Sequence, residues 1–325
     1  MVRGRHGSSL AVVVMAVASV VVASPAHAIA RCKGRTATIV GTAGDDRIAG
    51  TPGRDVIAAR GGADRIRAHE GDDVVCAGRG ADDVETGAGD DRVWGGDGRD
   101  YADGMGGDDY VDGEAGRDWL HGSDGRDALR GGAGHDTMNA IETRGGLWGG
   151  AGADRIDGGR GRDFAFGHDG RDRLRGRAGS DTLRGAGGRD AVDGGRGIDQ
   201  LMGDTGDDLL RGGRRRDMLY GGAGFDVVHG NRGDDEGDGD APYERAGRDV
   251  VWGGPGDDVL RGRGARDRLR GNGGEDELFG DDGDDRLRGS RGDDVLHGNE
   301  GTDHAAGGVG TDTCTGAETR SSCEL

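Results

Sequence analysis

The chain has 325 residues, of which 75 are glycine, 62 acidic and 43 basic, giving a formal charge of −19. Hydrophobic residues make up 32% and aromatic residues 4%, too little for the large core of an ordinary enzyme domain, and so acidic a chain is a poor general partner for nucleic acid. Composition alone describes a disordered polar chain, and only internal order in the sequence argues otherwise.

Residues 1–28 read as a secretory signal peptide. Arg3 and Arg5 form a basic start, Leu10 to Val22 is an apolar run of 13, and Ala26-His27-Ala28 is a small-x-small cleavage site. The run is shorter than the roughly 20 residues of a membrane helix. No other apolar stretch follows, so no transmembrane segment is expected after cleavage; the other reading is an uncleaved anchor. Loss of Arg3 and Arg5 takes the formal charge from −19 to −21. Four cysteines follow, Cys32, Cys76, Cys314 and Cys323, with no CxxC pair. Zinc is therefore not expected, and an exported chain with four cysteines suggests two disulfides, with three pairings open.

Residues 29–40 precede a repeat and include a short β-like run, "TATIV". From Gly41 onward a nine-residue unit recurs, G-G-x-G-x-D-x-U-x, with U apolar. Its sixth position falls on Asp46, Asp55, Asp64, Asp73, Asp82, Asp91, Asp100, Asp109, Asp118, Asp127 and Asp136. After one slot with Gly145 in that place, it resumes in register at Asp154, Asp163, Asp172, Asp181, Asp190, Asp199, Asp208, Asp217, Asp226 and Asp235. Residues 41–238 thus hold 22 units. Five residues, 239–243, break the count. A second block of eight units, 244–315, carries Asp249, Asp258, Asp267, Asp276, Asp285, Asp294, Asp303 and Asp312. Glycine fills position four except at Thr143, Arg215 and Ala265, and position eight is mostly aliphatic. A nine-residue phase held over 198 residues is the mark of a repeat solenoid.

The repeat resembles the RTX, or hemolysin-type calcium-binding, nonapeptide. That resemblance implies an all-β fold, a parallel β-roll in which two units make an 18-residue coil, with calcium held between turns of successive coils. It implies the 29 motif aspartates above as metal ligands and several calcium ions as cofactor. The chemistry agrees. Calcium takes six to eight oxygen ligands, glycine permits the turn dihedrals that bring carbonyls inward, and the aspartate adds a carboxylate. The strand x-U-x buries one apolar residue in nine, which cannot by itself offset the ordering entropy, so metal is expected to supply much of the folding free energy.

Position five is most often either an acid, as at Asp257, Glu275, Asp284 and Asp293, or an arginine, as at Arg54, Arg99, Arg189 and Arg266. Such an arginine either pairs with the motif carboxylate in place of calcium or faces solvent. Calcium is expected to bind most tightly where position five is acidic, over residues 257–294. Arginines at positions seven and nine, as in "DRLRG" at 267–271 and 285–289, are expected on exposed strand faces. They could meet an acidic polysaccharide, although a solvated mixed-charge surface is the simpler account. Trp94, Trp148 and Trp252 at position nine could stack on sugars or merely cover a sheet. No HExxH, HxxxH or GxSxG motif occurs, and no enzymatic activity is expected.

Residues 316–325 follow the repeats, and solenoid ends need caps. Cys314–Cys323 is expected as a local staple and Cys32–Cys76 as the remaining pair, folding the N-terminal cap back over about two coils. The expected function is that of a secreted, extracellular calcium-binding roll with a structural or adhesive role, with calcium as partner and an extracellular glycan or cell surface as a further one. The alternative is an RTX-type effector, a toxin or the repeat module of an exported enzyme. The little sequence outside the repeats argues against that alternative, and a lysis assay separates the two.

Overall fold

A computed structural model describes residues 30–125, 127–140, 146–240 and 247–323. The expected signal peptide, 1–28, and most of the aspartate-less slot, at 141–145, lie outside the described residues. Two parallel sheets of sixteen strands each face one another; with strands numbered in chain order from Arg31–Cys32, the odd sheet takes the odd-numbered strands from Ile39–Val40 onward and the even sheet the even-numbered strands from Arg47–Ala49 onward, so that successive units alternate between them. Each strand pairs in register with those one coil before and after. Leu120 lies between Ala102 and Met138 on one sheet, and Val111 lies between Val93 and Leu129 on the other. The offset is 18 residues within both blocks, as a parallel β-roll requires, except beside the aspartate-less slot, where Ser123 pairs with Ala140, and sixteen strands spaced about 4.8 Å apart make a body about 70 Å long.

Position eight points inward, and positions seven and nine point outward, because side chains alternate along a strand. The core is therefore two facing ladders of single residues, among them Val93, Val111, Leu129 and Leu147 against Leu120, Met138 and Ile156, all at most 2% exposed. Each such side chain contributes roughly 1.5–3 kcal/mol on burial, and there is only one per unit. The outer faces carry ion pairs such as Arg65–Asp83 and Arg67–Glu85, of the exposed kind that stabilises little.

Both ends are closed as the cysteine spacing suggested. Arg31–Cys32 and Arg35–Thr36 form a small antiparallel hairpin, turned at Lys33 and Gly34, both with positive φ. It folds over the odd sheet, where Cys32 is joined to Cys76 and Lys33 pairs with Glu114 at 2.6 Å. Ile39–Val40 adds the first strand of that sheet, pairing with Ile57 and Ala58. At the other end Cys314 is joined to Cys323, and Thr319–Ser321 adds a last strand beside His304–Val309. Disulfides fit an oxidising compartment.

The break at 239–243 does not divide the solenoid. Val227 pairs with Val250 and Glu236 with Val259, so both sheets run through it. Gly239 stands where a first-position glycine belongs, since a Cβ there would meet Asp249 Oδ2. The extra residues are thus taken up inside one turn, after its first position, and the strands keep their register.

Candidate metal centre

The turns stack directly on one another. Positions two and four have positive φ along the roll, as at Gly78 (114°) and Gly80 (130°) or Gly96 (114°) and Gly98 (149°). The need at position four is steric as well as conformational. A Cβ on Gly98 would lie 1.6 Å from the carbonyl oxygen of Gly80, one coil earlier. Non-glycine residues at position two, such as Arg60, His69, Met105, Glu114 and Arg177, also take positive φ, a costly state for an L-residue. The position-four exceptions Arg215 and Ala265 do the same, at 82° and 74°, and Thr143 lies outside the described residues. Gly98→Val is therefore expected to destabilise the stack by on the order of 3 kcal/mol, from dihedral strain plus overpacking. Gly44→Ala, where a Cβ meets nothing within 4 Å, is expected to change stability by less than about 1 kcal/mol. Denaturant midpoints at saturating calcium check the pair.

Each motif aspartate uses its two oxygens differently. Oδ1 accepts the backbone N–H of the motif aspartate one coil earlier, as in Asp91 N–H to Asp109 at 2.9 Å, Asp109 N–H to Asp127 at 3.1 Å and Asp258 N–H to Asp276 at 2.9 Å. This links the odd-unit aspartates into one continuous row and the even-unit aspartates into a second row interrupted at the Gly145 slot, one along each edge of the roll. The rows cross the insert too, with Asp226 N–H to Asp249 at 2.8 Å and Asp235 N–H to Asp258 at 2.7 Å. Oδ2 is the informative atom. From Asp64 to Asp154 and from Asp172 to Asp312 it is buried with no hydrogen-bond partner, and those side chains are at most 3% exposed. A buried oxygen carrying negative charge and no donor is costly. Repeated up both edges, it is the arrangement a hard cation satisfies.

Electrostatics says the same. Burial pushes the motif carboxyls up, the amide bonded to Oδ1 pulls them partly back, and the aspartates one coil away push them up again. Asp82 is raised to about 6, Asp100 to about 7 and Asp109 to about 8. The largest shift is at Asp267, raised to about 9, where Asp240 adds to the charge of Asp249 and Asp285. Asp240 is itself buried and accepts the Gly247 N–H at 2.7 Å. Its place beside the row was hidden by the count of nine, which put it in the break; the Gly239-Asp240 pair was the only signal. Glu318 was missed likewise. It accepts the Asp303 N–H, standing in for a motif aspartate in a half-coil three residues short.

The first two turns differ. Asp46 Oδ2 accepts from the backbone N–H of Thr42 at 2.6 Å and its hydroxyl at 3.0 Å, and Asp55 Oδ2 accepts from Thr51 at 2.6 and 2.9 Å. A β-branched residue avoids positive φ, and these two turns have none at positions two or four. Their second-position amides instead turn inward onto the carboxylate. Sequence alone set Asp46 and Asp55 with the rest; the structure gives their Oδ2 atoms protein donors.

Position five lies on the outside. Its acids accept the position-five amide of the next coil, as Asp257 does from Glu275 at 2.8 Å and Asp293 from Thr311 at 2.8 Å. Its arginines pair with position-five acids one coil on, Arg189 with Asp207 and Arg266 with Asp284. The ion pairs of Arg189 and Arg266 thus run along the outer edge, to acids other than the motif aspartates.

Fold and site together define a calcium-type β-roll: a parallel solenoid whose stacked turns present rows of buried carboxylates. The profile of the RTX calcium-binding nonapeptide repeat matches residues 40–75, 49–84, 77–111, 103–138, 147–165, 166–201, 202–237, 245–278 and 279–314. The chain belongs to that family. No curated protein matches it.

Proposed function

We propose that this chain is a secreted, non-enzymatic calcium-binding roll that serves an extracellular structural or adhesive role and folds when calcium fills its turns. The observation that carries the reading is the double row of buried Oδ2 atoms without donors. The proposed ligands are the motif aspartates from Asp64 to Asp312, each giving Oδ2, with backbone carbonyls of the turns completing an oxygen-rich set. Calcium would neutralise charge that burial otherwise penalises. At Asp46 and Asp55 a threonine performs that service, so the first coil closes the end of the roll without metal. The apolar run and cleavage site at 1–28 and the two disulfides support export.

The test is calorimetry with calcium on three variants. Asp276→Asn/Asp294→Asn, which alters two motif aspartates joined by the Asp276 N–H donated to Asp294 Oδ1 at 3.0 Å, is expected to remove tight binding locally and lower the stoichiometry. Asp257→Asn/Asp293→Asn, at exposed position five, is expected to weaken affinity less than threefold, through charge alone. Thr42→Gly/Thr51→Gly is expected to raise the stoichiometry, because it frees two carboxylate oxygens. Unchanged binding in the first variant would remove the motif aspartates from the metal site.

A further inference from the structure

At several places on the roll, outward arginines are answered by acids on a neighbouring strand. Arg65 and Arg67 face Asp83 and Glu85, and Arg177 pairs with Asp157. Four consecutive strands of the even sheet offer no such acids: Val250–Pro255, Arg268–Gly273, Arg286–Arg291 and His304–Val309. They contain five arginines and a histidine and not one acidic residue, in a chain with 62 acids. On the opposite sheet the same coils carry Glu277, Asp281, Asp282 and Glu300. The two faces of this end of the roll are opposite in sign.

The arginines form a flat array. Arg268 lies in register with Arg286, and Arg270 with Arg288; all four are exposed. Neighbours across strands sit about 4.8 Å apart, and positions seven and nine about 6.7 Å apart. Like charges directly opposite one another destabilise a sheet, and among the described residues none of the four makes an ion pair. The array is bordered by an aromatic platform. Trp252 is in register with Arg270, is 39% exposed and is held edge-on to His229 at 4.3 Å between ring centroids. Beside it lies a depression of about 350 Å³ lined by His229, Asn231, Trp252, Arg270 and Asn272. A ring-sized hollow with an indole, two amides and a guanidinium suits a sugar ring. Arginines continuing from it in two parallel lines suit a chain that carries an anionic group on successive sugars.

We propose that the even face from Trp252 to Arg288 binds an anionic polysaccharide laid along the sheet. This deepens the adhesive role proposed above and rests on it for the extracellular setting. A duplex nucleic acid fits less well, because its bases are stacked away from the indole.

The test uses the full calcium-loaded chain and heparin, a sulfated probe that does not gel with calcium, with dextran and a DNA duplex for comparison. Arg268→Ser/Arg270→Ser/Arg286→Ser/Arg288→Ser is expected to weaken heparin binding tenfold or more and to flatten its salt dependence. A variant with the same charge change at dispersed exposed sites, Arg35→Ser/Arg47→Ser/Arg92→Ser/Arg196→Ser, is expected to weaken it less than twofold. Trp252→Ala is expected to cost threefold or more on heparin and nothing on DNA. Equal losses in the two quadruple variants, tighter binding to DNA than to heparin, or no heparin binding would each overturn the proposal. Circular dichroism of the same samples with and without calcium separates this from the calcium reading. A chain that folds on calcium yet ignores heparin sinks only the polysaccharide site, and one that binds heparin without responding to calcium upholds it.

Discussion

In chelator near neutral pH, the chain from residue 29 onward is expected to lose most of its β-structure and to expand, and millimolar calcium is expected to reverse both changes. Each nine-residue unit orders its full backbone around one apolar side chain, such as Leu120 or Leu201. Backbone ordering costs about 1–2 kcal/mol per residue, against roughly 1.5–3 kcal/mol from that side chain, and the turn adds a buried carboxylate with an unsatisfied oxygen. Without a cation the turns repel one another along both edges. Scattering should report a radius of gyration on the order of 60 Å for the expanded chain, against roughly 20 Å for a rod about 70 Å long. Circular dichroism should change in parallel. The same β-content and size in both conditions would sink metal-coupled folding.

Acid is expected to do part of what calcium does. Burial raises the motif carboxyls in the folded roll, Asp82 and Asp199 to about 6, Asp172 and Asp208 to about 7, Asp217 and Asp258 to about 8. In the unfolded chain they titrate near the usual value of about 3.9. A pKa raised on folding means the folded state binds more protons, so its stabilisation is fully present below about pH 4 and is lost as pH rises through about 6 to 9. Lowering the pH of the chelated chain from about 8 to about 5 should therefore restore β-structure without metal. Calcium added to the acid-folded chain near pH 5 should in turn release protons, because the ion displaces them from Asp109, Asp267 and their neighbours, which burial keeps protonated there. Circular dichroism across that range checks the first, and calorimetry in buffers of different ionisation enthalpy the second. A β-signal that stays flat or falls as the chelated chain is acidified would contradict this account of the rows.

The roll itself was legible because its two determinants are local and periodic. An aliphatic residue at position eight and an aspartate at position six, repeated every nine residues, dictate an inward side chain and a turn-closing carboxylate. Both cysteine pairs could be read from the same frame, since each joins a cap to a coil it must overlie. What escaped the reading depends on atoms rather than on period. The threonines at 42 and 51 satisfy the same oxygens that elsewhere lack donors, which only the direction of a backbone amide reveals. Arg189 and Arg266 pair across coils with other position-five groups, because their side chains leave the turn on the outside. Gly239, Asp240 and Glu318 take part in turns although the count of nine excludes them, because a turn tolerates added or missing residues as long as its ends meet. The acid-free face emerges only when alternate units are read together, 18 residues apart.

That alternation limits how such a chain can change length. Because successive units go to opposite sheets, each unit has a parity, and its outward residues belong to one side of the molecule only while that parity is kept. Loss or duplication of a single nonapeptide would leave every turn and every buried aliphatic residue in place, yet transfer all downstream outward residues to the other side. Placed between Arg47 and Trp252, such an event would break the match between the arginines of the early coils and the acids they meet, and would carry Trp252 and its arginines to the opposite face. Gains and losses in pairs leave both faces intact, as does a few-residue expansion within a turn of the kind seen after Gly239. The roll can therefore lengthen freely in whole coils, while half-coil steps preserve the fold and scramble the surface.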